Sequence, residues 1–77
     1  MGQFKDVEGD NRFEQAFDDD KGSGLVWADY AVKGDARMIL HVEAEQSLRG
    51  SGAAGRFMQA MAEHARETGL KLFPRCS

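Results

Sequence analysis

A closely spaced run of glycines at residues 50–55 (GSGAAG) is the feature that most constrains the fold of this chain. It follows a strand-like segment, residues 41–43, and opens the only long helical pattern, residues 51–68. Glycines at the start of a helix let the backbone approach an anion, and the unpaired N–H groups and the helix dipole attract one. The sequence therefore predicts a phosphate-binding turn between a strand and a helix.

The length and charge of the chain limit what it can be. With 77 residues, 42% of them hydrophobic, it has room for one small globular domain, residues 1–77. A net charge of −3 argues against broad electrostatic binding to nucleic acid or an anionic membrane. Cys76 is the only cysteine, so no disulfide forms within the chain. Since we find neither a signal-peptide core nor ~18 consecutive apolar residues, we expect a soluble, cytoplasmic protein.

The first third of the chain predicts a loose segment, a strand and a loop. Residues 1–11 are polar, and we expect them to be loosely held, with Val7 as a possible strand or docking residue. Residues 12–17 alternate imperfectly around Phe13 and Phe17, which suits a strand. Residues 18–24 have the composition of an exposed hairpin loop, and a calcium site of the EF-hand type lacks its final Glu there.

Two further strands, residues 25–32 and 36–45, are predicted around a tight turn at residues 33–35. Their alternation divides each strand into two faces. In the first of them the more apolar face consists of Val26, Ala28, Tyr30 and Val32. In the second we expect Met38, Leu40 and Val42 on one face, and Ile39, His41 and Glu43 on the other.

The helix carries one apolar stripe, which we interpret as core and, less favoured, as a cofactor lining. Its members are Ala54, Phe57, Met58, Met61, Ala65 and Thr68. Gly69 is expected to end the helix in a left-handed conformation. Residues 70–73 are predicted to return parallel to the third strand by a crossover. The predicted fold is α+β with an α/β-type core, a mixed sheet in the order β-β-β-α-β with one principal helix.

The glycine run also matches G-x-G-x-x-G, the dinucleotide-binding pattern, but its surroundings do not. Residues 44–49 separate the strand from the first glycine, and Arg75 stands where an acidic residue is required. The P-loop pattern fails too, because no Gly-Lys-Ser/Thr follows. A nicotinamide enzyme is therefore disfavoured.

Six short motifs occur along the chain in the order Arg12-Phe13-Glu14, Tyr30, His41-x-Glu43, Leu48-Arg49-Gly50-Ser51-Gly52, Ala65-Arg66-Glu67-x-Gly69-Leu70-Lys71 and Pro74-x-Cys76. Together with the order of the elements, they resemble the small, single-domain members of the GNAT acetyltransferase superfamily over residues 11–77. The resemblance departs from the wider superfamily at Ser47, where Gln or Arg is usual. It also implies a further C-terminal segment in the small family, which we expect to be absent here.

The resemblance implies a V-like core that binds acetyl-coenzyme A. The glycine turn would hold the pyrophosphate, and the pantetheine would lie beside the third strand. The cofactor-binding residues that it implies are Leu40, Val42, Leu48, Arg49, Gly50, Ser51, Gly52, Ala53 and Ala54. Arg49 and Arg56 could add charge for the phosphates, although Arg56 fits equally well on the solvated face of the helix.

Acetyl transfer to an amine needs a base and a proton for the departing thiolate. With the resemblance, we favour His41 as base or acid; the alternative is a histidine that fills a half-buried sheet face. Glu43 shares its strand face about 7 Å away, so the two need not touch. Cys76 could accept the acetyl group or protonate the thiolate, or be a small buried hydrophobe.

We therefore predict a small acetyl-coenzyme A-dependent N-acetyltransferase acting on an unidentified amine, without a metal. Acidic residues such as Glu43, Glu45 and residues 18–20 could attract a cationic amine. A non-catalytic coenzyme A-binding or protein-interaction module is the alternative, because an open sheet edge after Phe73 invites a partner strand. A purely structural domain is the third hypothesis. We expect a monomer or weak homodimer, with no nucleic acid or membrane partner.

Overall fold

Four consecutive strands form an antiparallel meander in the first part of the chain. The structure, a computed structural model, describes residues 2–75. The strands are β1 (Lys5–Val7), β2 (Arg12–Asp19), β3 (Gly22–Lys33) and β4 (Ala36–Ala44), with 3-10 turns at Glu8–Asp10 and Gln46–Leu48. Helix α1 (Ala53–Thr68) then leads to β5 (Lys71–Pro74), which pairs parallel to β4. The strands lie in chain order in one mixed sheet, so the fold is α+β.

The sheet contains one strand more than the predicted order β-β-β-α-β. Strand β1 pairs antiparallel with β2, and the ring of Phe4, just before it, lies 5.5 Å from the rings of both Phe13 and Phe57. The hydroxyl of Tyr30 donates a 2.5 Å hydrogen bond to Asp6. The N-terminal segment, expected from its polar composition to be loose, is thus joined to the core by two side chains.

The connection between β2 and β3 is shorter than the predicted loop of residues 18–24. Both strands continue to a two-residue turn at Asp20 and Lys21. Gly22 lies within β3. A Cβ at this position would be 2.7 Å from the carbonyl oxygen of Ser47, so a residue with a side chain would not fit. Ser47 in turn donates a 2.5 Å hydrogen bond from Oγ to the carbonyl of Ser23. The glycine therefore makes room for the 3-10 turn that precedes α1, instead of forming a loop.

Helix α1 packs against one face of the sheet. The buried positions of the sheet are Phe13, Gln15 and Phe17 of β2 and Val26, Ala28 and Tyr30 of β3, as the alternation predicted, apart from Val32, which is exposed. The buried positions of α1 recur every four residues at Ala53, Phe57, Met61 and Ala65. Three members of the predicted stripe, Ala54, Met58 and Thr68, are exposed, because only one row of the helix points at the sheet.

Gly69 ends α1 with φ 75°, as predicted, and its N–H bonds to the carbonyl of Ala65. Among the described residues, no helix is long and apolar enough to cross a membrane.

A β-bulge at Leu40 makes the predicted faces of β4 wrong. Ile39 pairs with Tyr30 and His41 pairs with Asp29, so Leu40 is an extra residue between two consecutive pairs. Directly opposed residues point to the same face, so Ile39 faces α1 and His41 faces away from it. By the same rule Val42, opposite buried Ala28, lies on the α1 face with Ile39 and not with Met38. Glu43 stays on the face of His41.

Candidate functional site

The main cleft of the described chain opens where β4 and β5 separate. Strand β5 pairs with β4 only as far as Ile39, and the last contact is the 3.0 Å hydrogen bond from the N–H of Arg75 to the carbonyl of Ile39. Beyond this point the described part of β4 pairs with β3 alone, as far as Ala44. A cleft of about 540 Å³ lies beside this stretch.

The walls of the cleft are almost entirely apolar. They include Leu40 and Val42 from β4, Met58, Met61 and Ala62 from α1, and Leu72 and Phe73 from β5. Of the described residues that border it, His41 and Arg75 are the two ionisable ones. An apolar cleft along a strand edge with free backbone groups suits an extended ligand that carries amides on an aliphatic chain.

The glycine turn lies at the start of α1. Gly50 and Gly52 have φ 78° and 80°, and a Cβ on either would meet no atom within 4 Å. Glycine is therefore needed for the backbone conformation, and the space outside the turn is open. Gly52 is the N-cap of α1 and provides no side chain to the first N–H groups. Because those groups lack intrahelical partners, they can bind an anion.

Hydrogen bonds on the buried side of the glycine turn fix its conformation. Ser51 Oγ donates to the carbonyl of Leu48 at 2.6 Å and accepts from the N–H of Ala53 at 3.1 Å, and all three residues are buried. Ala54 is exposed on the outer side, as are Gly50 and Gly52. Of the nine residues predicted to bind a cofactor, Leu48, Ser51 and Ala53 therefore position the turn, with their side chains directed away from solvent.

The two arginines beside the turn differ in their surroundings. Arg49 is exposed. Arg56 contacts Asp19 of β2, with 3.0 Å between Nη2 and Oδ2, and its guanidinium lies 5.2 Å from the ring centre of Phe17. The pKa of Asp19 lies below its usual value, because the carboxylate accepts a hydrogen bond from the N–H of Lys21 and, next in importance, one from Arg56. Arg56 therefore has a specific partner and is not simply a solvated helix residue.

His41 and Glu43 lie on the sheet face opposite α1. The distance between His41 Nε2 and Glu43 Oε1 is 3.3 Å, although their separation along the strand did not require contact. Their side chains are 48% and 52% exposed, so both can be reached from solvent. Their cross-strand neighbours are Asp29 and Trp27, and Asp29 is bound to Arg12 at 3.0 Å. The imidazole of His41 can therefore exchange a proton with a solvent-side ligand, while the carboxylate of Glu43 lies next to it.

The structure brings the predicted residues together in two neighbouring places. Leu40, His41 and Val42 border the cleft, while residues 48–54 form the turn. Met58 in the cleft lies five positions after Ala53 at the turn, a rise of about 7–8 Å along α1. Cys76 lies outside the described residues.

Sequence reasoning missed several residues that line the cleft. Met58 belongs to the helical stripe interpreted first as core and second as a cofactor lining, and it is 45% exposed at the edge of the cleft. Phe73 and Arg75 received no place in the site, although Phe73 is 51% exposed. A methionine at the edge of a helical stripe was the available signal. Within residues 2–75, no group of His, Cys, Asp and Glu could hold a metal ion.

The chain matches a known protein family. A sequence model of the family described as GCN5-related N-acetyl-transferase matches residues 12–77. The matched region begins at β2 and includes the glycine turn, α1 and β5. A search of curated proteins found no match.

Proposed function

Because the chain belongs to the GCN5-related N-acetyltransferase family, we propose that it binds acetyl-coenzyme A and transfers the acetyl group to an amine. The observation that carries this proposal is that two features lie next to each other along α1. An anion-accepting turn lies at the start of the helix, and an apolar cleft begins less than two helical turns later. This arrangement matches a ligand with a charged phosphate end and a long aliphatic arm.

The residues of the site fit the coenzyme. The backbone N–H groups around Gly50, Gly52 and Ala54 would hold the pyrophosphate, because the space outside the two glycines is open. Arg49 would add positive charge. Leu40 and Val42 would lie against the pantetheine arm, since their stretch of β4 has no strand on the β5 side within the described chain. When bound, acetyl-coenzyme A supplies the acetyl thioester.

His41 serves as the proton acceptor in this proposal. In the transfer the amine nitrogen bonds to the acetyl carbon, the C–S bond of the thioester breaks, and the amine loses a proton. His41 borders the cleft and is open to solvent, so it can take up that proton directly or through water. Glu43, 3.3 Å from Nε2, orients the ring and stabilises the imidazolium that forms.

Cys76 is kept as a second proposed catalytic residue. It directly follows Arg75 in the sequence, and Arg75 borders the cleft. We propose that its thiol gives the proton to the departing coenzyme A thiolate. A covalent acetyl-cysteine is the competing role, and a burst of one acetyl group per chain would support it.

The first experiment is a titration with acetyl-coenzyme A, followed by thermal unfolding and amide NMR, with NADP as the control. A ligand at 100 times its Kd adds about 2.7 kcal/mol to the free energy of unfolding. Each kcal/mol raises the midpoint by roughly 4–8 °C in a domain of this size. We expect stabilisation by acetyl-coenzyme A alone, with NMR shifts at residues 49–54 and at Met58. Equal responses to both nucleotides, or none, would contradict the proposal.

A non-catalytic coenzyme A-binding or interaction module is the second candidate. It is favoured by the edge strand β5, where Phe73 is 51% exposed beside Met38 at 38%, a surface that suits a partner strand. Binding of acetyl-coenzyme A without release of free thiol, over a panel of primary amines and lysine peptides, would support this candidate and exclude the enzyme.

A further inference from the structure

The first turn of α1 contains a basic residue where the helix dipole favours an acidic one. Arg56 is the fourth residue of α1, and the first turn contains no acidic side chain. A cation is disfavoured at this end of a helix because the N–H groups carry partial positive charge. Asp19, at the end of β2, places a carboxylate at this end of the helix, with its Oδ2 3.0 Å from Nη2 of Arg56.

This ion pair is held from both sides. Asp19 Oδ1 accepts a 2.9 Å hydrogen bond from the N–H of Lys21, which fixes the carboxylate in the β2–β3 turn. The guanidinium of Arg56 lies over the ring of Phe17, a buried residue two positions before Asp19. Oδ2 of Asp19 contacts Nη2 of Arg56, and the Arg56 side chain is 42% exposed. Because a guanidinium has five N–H donors, Arg56 keeps donors for a second anion.

We propose that Asp19 sets the affinity of the site for phosphorylated ligands by competing with them for Arg56. This inference rests on the proposed function, in which phosphate groups bind at the glycine turn. Arg56 lies three residues after Ala53, a rise of about 4–5 Å along the helix, so a phosphate at the turn is within reach of its long side chain. Asp19 weakens binding in two ways, because it occupies the arginine and adds a negative charge beside an anion.

The proposal gives Asp19 a role opposite to that of an ordinary binding residue. Its removal should strengthen ligand binding, although it breaks an ion pair. Because both partners are partly exposed, the pair contributes little to folding, and its loss should leave the protein folded. The carboxamide in Asp19→Asn keeps an oxygen that can accept the hydrogen bond from Lys21.

Calorimetric titration of coenzyme A into four proteins and one control variant tests this. The four proteins are the wild type, Asp19→Asn, Arg56→Gln and the double variant. Asp18→Asn is the matched control, because it removes the same charge one residue away, from an exposed side chain outside the ion pair. We expect Asp19→Asn to lower Kd about two- to fivefold, the scale of one partly exposed charge interaction. In the Arg56→Gln background the same substitution should have a smaller effect.

Each result is decisive. A wild type that binds coenzyme A, with Asp19→Asn equal to Asp18→Asn or weaker than the wild type, would overturn the inference and leave the proposed function standing. An undiminished gain in the Arg56→Gln background would also overturn it, since the effect would then be general electrostatics. Absence of coenzyme A binding in all the proteins would overturn the proposed function, and the inference with it.

Discussion

Tyr30 and Asp6 join the centre of the sheet to its N-terminal edge through a hydrogen bond of 2.5 Å from the phenol to Oδ1. Tyr30 is buried, and its ring centre lies 4.6 Å from that of Phe13. Burial, and after it the neighbouring Asp6 carboxylate, raise the pKa of Tyr30 to about 12. The hydrogen bond therefore links the only tyrosine of the chain to the placement of β1.

Alkaline pH should destabilise the fold through this residue. An acid whose pKa is raised on folding contributes stability that is complete below its unfolded pKa, near 10, and is lost as the pH rises through about 12. We expect the free energy of unfolding, measured with urea, to fall across that interval. Phenolate absorbance reports Tyr30 alone. Tyr30→Phe should be less stable at neutral pH by about 1–2 kcal/mol and should lose this part of the pH dependence. A phenol that titrates near 10 would contradict the prediction.

Gly22→Ala should disturb the glycine turn from a distance. The added methyl would lie 2.7 Å from the carbonyl oxygen of Ser47, a backbone atom that cannot rotate away. We expect a loss of about 1–3 kcal/mol in urea unfolding and weaker binding of coenzyme A. Gly9→Ala is the control, because a Cβ there meets no atom within 4 Å. Equal stability of the two variants would show that the 3-10 turn adjusts freely.

Alanine substitutions of two methionines in α1 should affect different properties, one mainly the stability and the other mainly the binding of coenzyme A. Met61 is 1% exposed and Met58 is 45% exposed, and both line the cleft. Met61→Ala should cost about 2–5 kcal/mol of stability, since it leaves a cavity in the core. Met58→Ala should cost well under half as much, yet weaken coenzyme A binding. A large loss of stability in Met58→Ala would place this side chain in the core after all.

The two histidines should behave in opposite ways. His41→Gln should lower kcat/KM for acetyl transfer by about 10²–10⁴, the usual contribution of a general base, with an unchanged melting temperature. Glu43→Gln should lower it less, since Glu43 acts through His41. His64 packs between α1 and β1, 5.2 Å from the ring centre of Phe4 and 3.9 Å from Asp6 Oδ2. His64→Gln should therefore lower stability and leave kcat unchanged; a loss of kcat there would contradict the assignment.

The elements of this fold were readable from periodicity and turn chemistry, but their junctions were not. The apolar face of β3, the helix and its cap at Gly69 follow from local patterns. The sequence predicts a longer loop than the tight turn at Asp20 and Lys21, because Gly22 and Gly24 are residue types typical of loops. Their small size serves a contact with Ser47, more than twenty residues away, which no local pattern records.

The candidate site was also predicted only in part, because some of its features have a local sequence pattern and others depend on long-range contacts. The glycine turn has a local signature, whereas the cleft depends on where β5 stops pairing with β4. The contact between His41 and Glu43 depends on rotamers that spacing does not specify. Val7 was identified as a candidate strand residue, but the full extent of β1 was not predicted, because its anchors, Phe4 and Asp6, bind partners on β2, β3 and α1.

The pairing of β3 with β4 does not require the bulge residue Leu40. If Leu40 were deleted, Ile39 and the present His41 would become neighbours opposite Tyr30 and Asp29, and regular pairing would continue with both side chains on their present faces. Neither the register nor the core therefore depends on the residue. An extra residue that interrupts a ladder bends the strand, and Leu40 directly follows Ile39, the last described residue of β4 that pairs with β5. Leu40 is thus an insertion that the sheet tolerates, and a version of this protein without it should fold with a straighter β4 and a narrower cleft.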